Sequence, residues 1–149
     1  HAVGRVTPFE TRGHVALAGT FGYELDVTRI PEEDRRMIPE QVAMYHKYNE
    51  LIREGDYYRI ASYRENHFYD CWATVSKDKK EMLLTYVQVL AYPRFRSRKI
   101  YLQGLDPNAV YHLEGTEEHY SGEMLMQAGC LVDYEAGDFR SRLYHFVAE

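Results

Sequence analysis

Apolar residues along this chain follow two periods, and the change falls near Gly55. Up to that glycine they recur at helical spacing; beyond it they alternate as in strands. The first helix is expected from Thr7. Its hydroxyl suits an N-cap, Pro8 suits the first helical position, and Glu10 completes a capping box. That helix should run to about Ala18, with Gly19 as a left-handed stop. Gly22-Tyr23-Glu24-Leu25-Asp26 reads as a short strand. A charged connection over residues 27–38 contains one helical turn begun by Pro31. The next helix starts at Pro39 and ends at Gly55, with Ile38, Val42, Tyr45, Asn49 and Ile52 forming its apolar stripe. Glu40 in its first turn and Arg53 in its last agree with the macrodipole.

Helix, strand and helix with short connections point to a parallel sheet, and one strand cannot make a sheet. The N-terminal third therefore reads as the tail of a larger α/β structure. A domain boundary is expected at Gly55-Asp56, giving units of 1–55 and 56–149. In the second unit, strands are expected over 57–61, 68–76, 81–90, 99–103, 110–114 and 139–147. The segment 81–90 is apolar on both faces, as in a central strand covered on both sides. Residues 104–108 form a turn, with 110–114 returning as partner to 99–103. A short helical piece begins near Tyr120-Ser121 and runs to Ala128-Gly129. Closely spaced strands with polar turns make the fold mainly β, an antiparallel sandwich or open barrel.

Composition narrows the function classes. A net charge of −5 gives no reason to expect nucleic acid as a partner. The one basic run, Arg94 to Lys99, reads as a solvated loop between strands. No apolar stretch approaches the ~20 residues that cross a bilayer, and no leader pattern is present at the start, so no membrane association is expected. Cys71 and Cys130 are the two cysteines, without a CxxC. Cys71 is expected as a free buried thiol and no disulfide is expected, which points to a reducing cytoplasm.

Three strings carry a resemblance: GRVTPFETRGHVALAGTFGYELD at 4–26, IPEQVAMYHKYNELIREGDYYRI at 38–60 and GDFRSRLYHF at 137–146. The chain resembles the C-terminal part of α-galactosidases of glycoside hydrolase family 36, over essentially its whole length. His1 resembles the histidine of a Pro-Asn-His segment after the seventh barrel strand. The resemblance implies that residues 1–55 are the last α-β-α elements of a (β/α)8 barrel and that 56–149 are a C-terminal β domain. It also implies a retaining glycosidase, with nucleophile and acid/base carboxylates about 5 Å apart. In the family these aspartates lie in Lys-Trp-Asp and Ser-Asp-Asn motifs. Neither occurs here, and the single tryptophan, Trp72, follows Cys71.

No catalytic, cofactor-binding or metal residue is therefore assigned to this chain; nucleophile and acid/base are expected upstream, and the chain alone is expected to be inactive. The implied substrates are terminal α-galactosides of the melibiose or raffinose type, hydrolysed without a cofactor by a homo-oligomer. Transfer of galactosyl groups is a variant within the same family.

Other residues were weighed as sites. Asp26, at the end of the presumed eighth strand, could contact substrate or cap the following connection. Glu32-Glu33-Asp34 reads as a solvated helix start. Glu117-Glu118-His119 is half of a metal site without a second half. His14 and His46 read as ordinary helix histidines, Gly13, Gly19 and Gly22 as structural, and Ser121 lacks a nucleophile context. The competing reading is a non-catalytic carbohydrate-binding β module, suggested by 14 tyrosines and Trp72. Residues 1 to about 55 are expected to pack on the β domain in altered form or to pair with another copy.

Overall fold

The computed structural model describes residues 4–93 and 97–149. His1 and residues 94–96 of the basic run lie outside the described residues. The elements in chain order are α1 (Phe9–Ala16), α2 (Glu32–Arg36), α3 (Ile38–Glu54), β1 (Asp56–Ala61), α4 (Tyr63–Asn66), β2 (Tyr69–Val75), β3 (Glu81–Gln88), β4 (Ser97–Ile100), β5 (Val110–Leu113), β6 (His119–Ser121), α5 (Gly122–Gln127), β7 (Cys130–Asp133) and β8 (Arg140–Ala148).

Six strands form one antiparallel sheet in the order β1-β2-β3-β8-β5-β6, and β4 pairs with β7 in a separate two-stranded sheet. The central strand is β3, as its two apolar faces require. Met82, Leu84 and Tyr86 point into a core closed by Ile100, Val132 and Leu125. Leu83 points the other way, into a cluster with Leu17, Tyr48 and Leu51 from the N-terminal segment. Every residue from Met82 to Gln88 is buried. Full burial of each large apolar side chain stabilises the fold by about 1.5–3 kcal/mol. The layers are therefore helices, six-stranded sheet, and a cover of β4, β7 and α5.

Several expectations are corrected. The first helix has Pro8 at its N-cap with no side-chain cap bond, so the box of Thr7 and Glu10 does not form. It ends at Ala16 through a tightened turn, Ala18 N donating to Val15 O and Gly19 N to Ala16 O, and Gly19 has no left-handed φ. Residues 22–26 are not a strand; among the described residues no strand lies alongside to pair with them. In α3 the buried residues are Gln41, Tyr48 and Leu51, with Met44 and Tyr45 packed beside them. The helix is thus rotated from the expected stripe, whose five members are only half-buried. Strand β4 pairs with β7 rather than with β5, whose partners are β6 and β8. Leu102 and Leu105 are buried on either side of the Gly104 turn, which draws that corner into the core instead of laying β5 against β4.

The short helix α2 follows Pro31 as expected, and Ser121 caps α5 by accepting from Met124 N at 3.1 Å. Gly55 ends α3 in an extended conformation, φ −73°. A Cβ there would lie 2.6 Å from both Leu51 O and the Thr74 side chain. The glycine serves close approach of helix end to sheet rather than a left-handed turn. Cys71 and Cys130 are free and buried in the main core. Burial pushes the Cys71 thiol far up and that of Cys130 up to about 11.

Candidate functional site

The chemistry to look for first is a pair of carboxylates facing a common substrate atom. Two carboxylates do converge, but on a histidine. His145 of β8 contacts Glu81 Oε1 through Nε2 at 2.7 Å and Glu114 Oε2 through Nδ1 at 2.9 Å. Lys47 of α3 pairs with the same Glu114, and the Tyr48 ring meets the His145 ring edge-on at 5.0 Å. Glu114 is held below the usual carboxylate range by Lys47 and then by His145, and Lys47 is held up by Glu114. With both imidazole nitrogens engaged, the cluster works as a clamp fastening α3 to the sheet. It leaves no carboxyl facing open space between two carboxylates, so it is not an acid/base pair.

A second polar seam joins α1 to β8. Thr11 Oγ1 donates to Phe139 O at 2.7 Å, Ser141 Oγ donates to Thr11 Oγ1 at 2.8 Å, and His14 Nδ1 lies 2.8 Å from Ser141 Oγ. A carbonyl can only accept and each hydroxyl has one proton, so His14 Nδ1 must donate. Burial pushes His14 down to about 4 against the opposing pull of Glu135, and the ring is neutral near pH 7. Nearby, buried Gln41 donates to Phe9 O at 2.9 Å and accepts from Tyr23 OH at 2.7 Å, tying α1, the 22–26 segment and α3 together. Its amide lies so close to Gly13 that a Cβ there would be 2.5 Å from Nε2. The helices cross where both a glycine and a satisfied amide are needed.

Between α1, α3 and β8 lies an open groove of about 650 Å³. A second hollow of about 540 Å³ lies along β1 and β2, bordered by half-buried Trp72 and exposed Tyr57.

The weighed residues fall apart from one another. Asp26 Oδ1 accepts from Thr28 N and Thr28 Oγ1 at 3.0 and 2.6 Å, which is the capping arrangement; it is exposed, and these bonds lower its pKa. Glu32 pairs with Arg36 and Asp34 with Arg12 on the exposed surface. His119 pairs with Glu149 at 2.9 Å and stacks on His112 at 5.0 Å; among the described residues no three ligands gather for a metal. His46 is exposed beside Tyr45. The clamp and the His14 seam were missed. Their members lie up to 130 residues apart; the seam forms where α1 packs on β8, and the clamp where α3 and the ends of β3 and β5 meet at His145 of β8.

The fold defines an antiparallel β domain that carries helices on one face. The model of the glycosyl hydrolase family 36 C-terminal domain matches residues 69–146, and the melibiase model matches residues 1–55. The chain belongs to glycosyl hydrolase family 36. α-Galactosidase AgaA of Geobacillus stearothermophilus is 40% identical over 148 residues, covering 99% of this chain and 20% of its own length. α-Galactosidase Mel36A of Lactobacillus acidophilus is 39% identical over 145 residues, covering 97% and 20%. The crystal structure of an AgaA variant with raffinose superposes on all of this chain, and on 20% of its own, with a TM-score of 0.94 at 40% identity. The chain thus spans about a fifth of the length of the curated relatives it matches. Agreement across the whole chain also means that the helices sit on the sheet as they do in that enzyme. The N-terminal segment packs on the β domain, and its arrangement is not the altered one expected.

Proposed function

We propose that this chain is the C-terminal part of a retaining α-galactosidase that hydrolyses terminal α-galactosides of the melibiose or raffinose type in the cytoplasm as a homo-oligomer. Residues 1–55 complete the catalytic barrel and 56–149 form the β domain that braces it. Nucleophile and acid/base are supplied by aspartates upstream. The chain's own contribution is mechanical: the clamp on His145 and the His14 seam hold the barrel's last helices at a fixed angle to the sheet. The observation that carries this reading is the match of the whole chain, at about 40% identity, to enzymes of that activity. The lack of Lys-Trp-Asp and Ser-Asp-Asn strings supports placing catalysis elsewhere. An assay on a chromogenic α-galactoside tests it. The enzyme at its full natural length should turn the substrate over and the purified 149-residue chain should not. Turnover by the chain alone, surviving a contaminant control, would overturn the reading.

A further inference from the structure

The flanks of helix α1 are occupied unequally. Gly13, and Leu17 just past the helix end, face α3: the Gln41 amide closes on Gly13, and Leu17 joins Tyr48 and Leu51. Thr11 and His14 face the start of β8. On the outer side Arg12 pairs with Asp34 of α2. Val15 follows Gly13 by two residues, about 200° round the helix, and so looks away from α3. It is 46% exposed, an apolar side chain on the flank that borders the hollow along β1 and β2.

The floor of that hollow belongs to the helix-bearing face of the sheet. Arg59 stands opposite Trp72, Trp72 opposite Thr85, and Thr85 opposite Leu143, which packs in the cluster under the helices. Directly opposed residues share a face. Tyr57, two residues before Arg59 and therefore on the same face, is 56% exposed. Val15, Tyr57 and half-buried Trp72 thus bring apolar surface from a helix and two strands around one open space of about 540 Å³. The exposed side chains of Arg59 and Arg64 form its rim. Apolar surface with a charged rim marks an interface.

Residues 1–55 match the melibiase model, and in the outer ring of a (β/α)8 barrel each helix lies between two others. Helix α1 has one ring neighbour here, α3, and its vacant flank is the one carrying Val15. The chain covers 20% of the length of AgaA, so about four-fifths of that enzyme lies outside the match. We infer that the hollow seats the barrel helix that precedes α1 in the ring, a segment of this protein upstream of the present chain, with its apolar side chains against Val15, Tyr57 and Trp72. The β domain then braces three barrel helices instead of two, and the β1–β2 corner is a third attachment beside the clamp and the seam. Continuity selects this occupant: the wall carrying Val15 is itself a ring helix whose neighbour is tethered beside it, whereas a second copy has no such tether. The inference rests on the reading of residues 1–55 as the end of a barrel.

The test uses the protein at its full natural length, with the photo-crosslinking residue p-benzoylphenylalanine in place of Tyr57 or, separately, of Val15. After irradiation and digestion, mass spectrometry should find both positions joined to peptides upstream of this chain, in material that still runs as a single chain on a denaturing gel. The same residue in place of Leu131, 61% exposed on β7 at the opposite side of the domain, should give no such product. A covalent dimer would assign the hollow to a second copy, and no product at either position would leave it open to water; each result overturns the inference. Turnover of a chromogenic α-galactoside by the same preparations keeps the two readings apart. Full activity without the upstream cross-link removes the helix seat and leaves the proposed function standing, whereas the cross-link without turnover does the reverse.

Discussion

The two faces of strands β3 and β8 are built from the same ladder but do different work. On one face Met82, Leu84 and Phe146 are fully buried in a core that is apolar almost throughout. On the other, Leu83, Leu143 and Val87 alternate with Ser141, Thr85 and His145 under the helices, and polar groups cross the seam. The first face is the inside of a domain. The second has the mixed, grooved character of an interface between units, where specificity of angle matters more than sealed packing. Large open hollows border the second face. The comparison makes the stability of the first face a matter of volume and that of the second a matter of satisfied hydrogen bonds and charge.

Truncation separates the two most strongly. Phe146→Ala removes a fully buried ring and should cost about 3–5 kcal/mol. Leu17→Ala, equally buried at 1% but beside open hollows, should fall near the lower end for its type, about 2 kcal/mol. Urea denaturation midpoints of the two variants measure the gap. Equal losses would mean that the helix-bearing face is packed as tightly as the core.

Acid should discriminate next. His14 falls from 6.5 to about 4 on folding because burial disfavours its charged form. Between those values the unfolded chain holds the proton and the folded one does not, so stability declines as pH falls through that window. The full loss is about 3 kcal/mol by pH 4. His14→Gln can still donate to Ser141 and does not titrate. Its unfolding free energy should therefore be flatter than wild type between pH 6.5 and 4. Parallel profiles would show that the seam is not what acid attacks.

These contrasts also explain what the sequence disclosed. The core face was legible because β2 and β3 alternate or run apolar over seven or eight residues, and because Ser76–Lys80 and Gly104–Asn108 carry turn chemistry. The lone pairing of β4 with β7 was not legible. Each is four residues long, and their contact spans the whole of β5, β6 and α5. On the helix face the reading failed for a different reason. The extent of α3 followed from Pro39 and Gly55, but its buried side includes Gln41, which local pattern counts as polar. Gln41 is buried because Phe9 O and Tyr23 OH await it, and no periodicity reports that. For the same reason the lack of catalytic motifs could be read from the string, while His145 with Glu81 and Glu114 could not.

Removing the Ser141 hydroxyl, and with it two hydrogen bonds of the seam, should cost less than truncating Phe146 or the full acid loss at His14. Ser141→Ala leaves His14 Nδ1 without its acceptor and Thr11 Oγ1 without its donor in a buried setting. About 2 kcal/mol is expected, with the His14 acid window moved, since the bond that fixes its tautomer is gone. A comparably small cavity in the core, Val75→Ala, should leave the acid profile where it was. A profile unmoved in Ser141→Ala would break the link between the seam's hydrogen bonds and its pH response.

The smallest effect belongs to the clamp, and its pH window tells it apart from the seam. Glu114 is about half exposed, as is Lys47, so water screens much of their attraction and Glu114→Gln should cost less than about 1 kcal/mol at pH 7. Its carboxyl is lowered by Lys47 and His145 on folding. The contribution is therefore present above the ordinary carboxylate value of 4.5 and disappears as pH falls through the lower folded value. The deficit of Glu114→Gln should hold constant from pH 7 to about 5 and close only in stronger acid, after much of the His14 window has passed. A deficit that closes already between pH 6.5 and 5 would overturn the assignment of the clamp's pH window to the Glu114 carboxyl.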